Sequence, residues 1–444
     1  MFSRKSRRRG ASRPPASAAL RPAWESLDAG DVPGALRHLR DASDEPLPEV
    51  ALVVGRAAAA AGFDDLARAA TAVAADPGEA RALHAYGYAC VERGVSHLAI
   101  PALREALRLA PGSPAVLREL VSAYEDEQLH REAADLLAAH ESGFAEWPDR
   151  YLLVFNAVLA GDLDLARRHH AVLPAPDDAM WLPARERQNR VLRRAESAGH
   201  ASPLDGTDLR GWQYVLGGTV LGTLSPYGYD AGMTGRFAFL QDTPDLCLQG
   251  LLRLKAVLDA GGLRPRSVSL LPDRGSRVLG LAAATVLDLP AEPFAAGRED
   301  TVVVAHDLDA TLHTDGGPAV LDQLVARTPG QVLHAHASCW TDPPFVTPDS
   351  VTLLHQSVVA PWGEVLRQAA DGGVERGAPD GRPEAEIAAD IVAADPTPDE
   401  GDGRTPADPV ERLTGFVEAV RGTWLRGDRT RVKSAGPVPS GRFR

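Results

Sequence analysis

Residues 82–113 read ALHAYGYACVERGVSHLAIPALREALRLAPGS. Small or apolar residues stand at Leu83, Tyr86, Gly87 and Ala89, and Gly94 then interrupts them. Ala99, Leu103 and Ala106 resume the helical spacing until Pro111, which cannot continue a helix. The pattern predicts two helices joined at Gly94, crossing where Gly87 and Ala99 leave room.

The unit recurs along the chain. Its turn position is held by Gly30, Gly62, Gly94, Gln128 and Gly161, at spacings of 32, 32, 34 and 33. Its small second-helix position is held by Ala35, Ala67, Ala99, Ala133 and Ala166. Five units in one phase predict a helical solenoid, because such units bury their faces only against neighbours. On these residues, positions 16–180 resemble a tetratricopeptide repeat array. The resemblance implies a groove lined by the first helices, holding another protein or a peptide. Carried over position by position, the groove residues are Arg56, Arg81, His84, Tyr88, Arg118, Ser122, Tyr151 and Phe155. Arginine pairs carboxylates through two parallel bonds, so this set suits an extended acidic peptide. The same residues also fit a solvated spacer, or an array packed on its own second domain.

From residue 264 the pattern changes to short β-branched runs alternating with helices. RSVSLLP, TVVVAHD, QVLHAHA and VTLLHQS read as strands, and RVLGLAAATVLDL and GPAVLDQLVART as helices. This predicts an α/β domain with a mostly parallel sheet. The fold class is therefore α + α/β, an all-α repeat solenoid followed by an α/β domain. The expected division is a disordered basic N-terminus at 1–15, repeats at 16–200 and the α/β domain at 205–370. In it, residues 182–199 form a helix capping the solenoid. An acidic Pro/Gly-rich linker (371–409), an amphipathic helix (410–427) and a disordered basic tail (428–444) complete the expectation.

Composition limits the function. The 444 residues carry 47 basic and 60 acidic side chains, a net charge of -13. That balance argues against nucleic acid as the main partner. No apolar run approaches the roughly 18 residues a membrane span needs. The basic start lacks an apolar core, so no secretory signal is expected. Three widely spaced cysteines, Cys90, Cys247 and Cys339, suggest a reducing, cytoplasmic setting. Lysine occurs only at Lys5, Lys255 and Lys433, which reads as a high-GC coding bias.

Two constellations bear on chemistry. Asp273-Arg274-Gly275-Ser276 stands between a strand and a helix, where free amides and the helix dipole face an anion. A later strand ends at His306-Asp307, followed by Leu308-Asp309-Ala310-Thr311-Leu312-His313-Thr314. Together they resemble a type I phosphoribosyltransferase. The resemblance implies phosphate contacts from Asp273, Arg274, Gly275, Ser276, Asp309, Thr311 and Thr314, and catalytic roles for Arg274, His306 and Asp307. The sequence departs from the family at His306, where an acid is usual, and at Leu312, which crowds the phosphate loop. The expected α/β domain is accordingly non-catalytic and needs no cofactor. The alternative is a phosphoribosyltransferase-like or metal-dependent enzyme using Mg or Zn at the strand C-termini. His334, His336 and Cys339 are its metal candidates, with His355 nearby. The Gly-rich loop 228–240, containing Tyr229, Asp230, Met233 and Arg236, either lines a pocket or reverses the chain.

Overall fold

The computed structural model describes residues 17–42, 44–228, 232–369, 373–432, 434 and 436–440. The basic start expected at 1–15 lies outside them, as do Tyr229 and Asp230. The chain divides into two units between Pro174 and Ala175.

The first unit is built from α1 (Arg21–Asp28), α2 (Val32–Arg40), α3 (Leu47–Ala61), α4 (Asp64–Ala75) and α5 (Ala80–Glu92). It continues with α6 (Ser96–Leu109), α7 (Pro114–Asp126), α8 (His130–Ala139), α9 (Tyr151–Leu159) and α10 (Leu163–Val172). Consecutive helices pack as five hairpins, α1 on α2 through α9 on α10. The turns explain the spacing of glycine. Gly30, Gly62, Gly94, Gln128 and Gly161 all have left-handed backbones, with φ of 81°, 80°, 69°, 59° and 81°. At Gly30, Gly62 and Gly94 an added Cβ would meet open space, so conformation alone demands glycine there. A Cβ at Gly87 would lie 2.4 Å from the Leu103 side chain, so Gly87 makes room for Leu103 rather than for Ala99. Ala35, Ala99, Ala133 and Ala166 are fully buried, while Ala67 is half-buried.

Gln128 is the exception among the turns, since a side chain in the left-handed region costs about 1–2 kcal/mol. Gln128→Gly is expected to stabilise the repeat unit by about 0.5–1 kcal/mol, and Gln128→Val to destabilise it, measured by denaturant unfolding.

The second unit opens with α11 (Leu182–Ala198), α12 (Leu209–Gly217), β1 (Val220–Leu221), β2 (Phe237–Gln241) and α13 (Pro244–Ala260). Next come β3 (Ser267–Leu270), α14 (Arg274–Leu287), β4 (Ala291–Pro293) and β5 (Thr301–Asp307). After α15 (Leu308–Leu312) and α16 (Gly317–Val325) follow β6 (Val332–Cys339) and β7 (Ser350–Val359). A small antiparallel hairpin of β8 (Leu366–Gln368) and β9 (Val374–Arg376), then α17 (Glu384–Val392) and α18 (Val410–Val420), complete it. The main sheet runs β4-β3-β5-β6-β7, with β1 and β2 both on the outer edge of β7, and every pairing is parallel. The chain leaves β3 for β4 on one side and then β5 on the other. That makes a topological switch point at the C-terminal ends of β3 and β5, where sheets of this order bind ligands. Leu251 and Leu254 of α13, Val278 and Leu279 of α14, and Ile387 and Ile391 of α17 close on Val268, Val302, Val304 and Val332. No helix among the described residues is long and apolar enough to cross a membrane.

Three expected boundaries change. Helix 182–199 belongs to the second unit, where α11 packs on α12 and α18. The described part of the acidic stretch, 373–409, is fastened to the unit rather than linking it. Its α17 packs on α14, and the largely covered side chain of half-buried Asp408 accepts bonds from Arg210 at 2.9 Å and Arg253 at 3.3 Å. Residues 428–432 are not a disordered tail, for Arg429 is fully buried. Its guanidinium donates to Asp349 Oδ2 (3.0 Å), Leu324 O (2.8 Å) and Gln331 Oε1 (3.1 Å). Arg236, from the Gly-rich loop, donates to Pro439 O at 3.0 Å and faces the Trp340 ring. That loop therefore holds the C-terminal segment in place.

Burial alone would raise the Asp349 carboxyl, but Arg327 and Arg429 outweigh it and hold it below its ordinary value. The unfolded carboxyl takes up a proton near pH 3.9, before the native one does, so acid favours unfolding. We expect stability to fall as pH drops below about 4, and Asp349→Asn to cost about 3–5 kcal/mol at pH 7 by leaving buried cations unanswered. Denaturant titrations across pH 3–7 check both.

Candidate functional site

Strand parity sorts the histidines. Side chains alternate between the two faces of a strand. Val302, Val304 and then His306 of β5 face the layer of α13 and α14, as do Val332, His334 and His336 of β6. Between β2 and α13 the chain turns at Asp242, and Thr243 caps α13 by accepting from Leu246 N–H at 3.2 Å. Asp242 is thereby placed under the start of α13, where the helix dipole favours a negative charge. Its Oδ2 lies 2.9 Å from His306 Nε2, 3.0 Å from His336 Nε2 and 3.4 Å from Cys247 Sγ. The four donor atoms all lie within 4.8 Å of one another.

The cluster is sealed from water. Asp242 and His336 side chains are 0% exposed and His306 6%. Cys247 is also fully buried, and Trp362 packs edge-on to His306 at 5.0 Å. Gly250 lets α13 pass close over His336, since a Cβ there would lie 2.7 Å from Nδ1. Neither ring nitrogen of His336 makes a directed hydrogen bond, despite the 3.0 Å approach of Nε2 to the carboxylate. Burial would raise the Asp242 carboxyl, but His336 and His306 outweigh it and hold it far below the usual range. Burial, and then Asp242, push the Cys247 thiol well above its ordinary value. His334 is a separate case. Burial first, and His336 second, push it down to about 3, and its Nδ1 bonds Ser350 Oγ at 2.8 Å.

Of the metal candidates, Cys339 points to the opposite face from His336 and so cannot join it. Its sulfur meets Thr341 and the Asp342 amide. Asp307 is on that opposite face too, where it lies 3.2 Å from His355 Nε2. Asp242 and Cys247 escaped the sequence reading. Their signal was Asp-Thr-Pro at a helix start, followed five residues after Asp242 by cysteine, with His-x-His elsewhere in the sheet.

Several phosphate candidates do converge, but on one another. Asp273 Oδ1 accepts from Ser276 N–H at 2.7 Å, and its Oδ2 from Thr311 Oγ at 2.7 Å. Ser276 Oγ accepts from the His306 amide at 3.2 Å. The free amide at the start of α14 is thus answered by the chain's own carboxylate, which fills the place of a phosphate and repels one. Arg274 turns away to donate to Arg382 O at 2.8 Å, and Gly275 abuts Trp362. Leu312 belongs to the short helix α15 rather than to a phosphate loop. Asp309 is exposed there, and Thr314 Oγ donates to Thr311 O at 2.7 Å.

In the repeat unit, half of the expected groove residues serve the array itself. Arg56 bonds Asp28 at 2.5 Å and covers the Trp24 ring. Arg118 grips buried Asp149 through two bonds of 2.7 and 3.1 Å. Tyr151 is buried and stacks between Trp147 and Phe155. Arg81 and Tyr88 are exposed, while His84 and Ser122 are half-buried. Burial, Glu92 and Asp126 together raise the Glu119 carboxyl. Two of the three arginines are therefore spent on aspartates, and Glu92, Glu119 and Asp126 gather on α5 and α7. This removes the basis for an acidic peptide as the preferred occupant.

No model of a known protein family matches this chain, and no curated protein matches it.

The capping role of Asp273 is open to direct test. Asp273→Ala is expected to cost about 1–2 kcal/mol in unfolding free energy. Pyrophosphate at millimolar concentration should leave the melting temperature of the unaltered chain unchanged, because a ligand raises it only by binding the native state.

Proposed function

We propose that the protein is a tetratricopeptide-like scaffold that holds another protein along the shared face of its first helices, with the α/β unit as a non-catalytic module. The observation that carries this reading is the exposure of large apolar side chains on that face. Leu52 on α3 is 46% exposed and Tyr88 on α5 is 50% exposed. Each first helix repeats the placement of its neighbour, so such residues line up along the array. Tyrosine offers flat contact area at low entropic cost and is enriched where proteins meet. The acids Glu92, Glu119 and Asp126 stand on the adjoining helices α5 and α7. The partner segment that suits this face is accordingly apolar with a basic side chain, rather than acidic.

A photocrosslinking amino acid placed at position 88 of the full chain in cells should give one discrete adduct. Glu119→Arg should abolish it by reversing the local charge. The same crosslinker at position 68, on the second helix α4, should give none. Equal adducts at 68 and 88, or none at 88, would overturn the reading.

A further inference from the structure

We propose that Asp242, Cys247, His306 and His336 form a closed zinc site that fastens the start of α13 to β5 and β6. The inference stands apart from the scaffold reading. One sulfur, two imidazole nitrogens and one carboxylate oxygen make a donor set suited to zinc. Zinc bonds of about 2.0–2.3 Å imply tetrahedral edges of roughly 3.3–3.7 Å. The distances from Asp242 Oδ2 to the other three donors, 2.9, 3.0 and 3.4 Å, need to widen by only a few tenths. The remaining pairs already lie within 4.8 Å, inside the reach of small side-chain rotations.

The second observation is His336 itself. It is fully buried, and Nε2 is aimed into the cluster without a directed hydrogen bond. Nε2 meets the Asp242 carboxylate at 3.0 Å but off the geometry of a hydrogen bond. A buried polar group whose hydrogen bond is not properly made costs up to about 1–3 kcal/mol, and a bond to zinc gives this nitrogen a directed partner. Charge closes as well. When zinc binds, the Cys247 S–H bond breaks, an S–Zn bond forms and the proton leaves to water. A proton on Nε2 of His306 or His336 is displaced as the N–Zn bond forms, passing to Nδ1 of the same ring or, where Nδ1 already holds one, to water. Each ring then ligates through Nε2 as a neutral imidazole. Thiolate and carboxylate then balance the two positive charges, so no net charge is left in the core. All four ligands are protein groups away from solvent, which leaves no position for water. The site is structural rather than catalytic.

The test uses the full chain, stripped with a chelator and then given Zn²⁺ or Co²⁺ alone. We expect one zinc per chain retained after desalting, a higher melting temperature with zinc, and a thiolate-to-cobalt charge-transfer band. Cys247→Ser should remove that band, and His336→Gln should weaken zinc binding by more than about tenfold. Cys339→Ser, on the opposite face of the sheet, should change none of these. If Cys247→Ser fails to fold, as judged by circular dichroism, the cobalt spectra of the unaltered chain and of Cys339→Ser decide. Folded chain that retains no zinc, or a band lost with Cys339→Ser, overturns the proposal.

Discussion

A carboxylate taken out of water has to be answered by donors, and the α/β unit is organised around three that are. Asp242, Asp273 and Asp349 are each buried at the sheet. Each ties together segments that hydropathy alone would leave apart. Asp242 joins the start of α13 to β5 and β6. Asp273 joins the start of α14 to Thr311 of α15. Asp349 joins the loop before β7 to Arg327 and to Arg429 beyond α18. The apolar layer supplies most of the driving force for folding, but it is non-directional. The carboxylates supply direction, because each accepts only from donors at set positions.

The same logic separates function from fold at the strand ends. A topological switch point offers a crevice to a ligand, and here the crevice is furnished from within. Asp273 answers the first amide of α14, and Trp362 lies against both Gly275 and His306. A helix start that a ligand could use is thereby spent on holding α14 to its neighbours. In the repeat unit the reverse holds, since Leu52 and Tyr88 remain outside the packing that their own helices make.

What the sequence made legible follows from range. The repeats could be read because a left-handed turn needs glycine at one place in each unit of about 33 residues, and that demand is local. Gln128 fits the phase without fitting the chemistry, and the spacing alone placed it correctly. The strands after 264 could be read because β-branched runs are local as well. Asp242 and His306 lie 64 positions apart, and Asp349 and Arg429 lie 80 apart, with no period to reveal either pairing. Arg429 read as part of a solvated basic tail because its burial depends on oxygens elsewhere in the chain. The helix at 182–199 shows the same limit, for its pattern predicted a helix without saying which unit it packs on. Parity separates His336 from Cys339, because an odd spacing along a strand puts them on opposite faces, whereas nearness in sequence groups them.

The burial of Arg429 also bears on the order in which the protein is made. Every hairpin of the repeat unit pairs helices adjacent in sequence, so each gains its contacts as soon as it emerges from the ribosome. The α/β unit has to wait. Asp349, β7 and the carbonyl of Leu324 are all synthesised before Arg429 reaches them. Until then the Asp349 carboxylate has only Arg327 of its two cations, and the loop before β7 stays loosely held. Synthesis therefore delivers a folded helical array followed by a sheet that closes late. A nascent chain stalled before Arg429 would carry a finished first unit and an unfinished second.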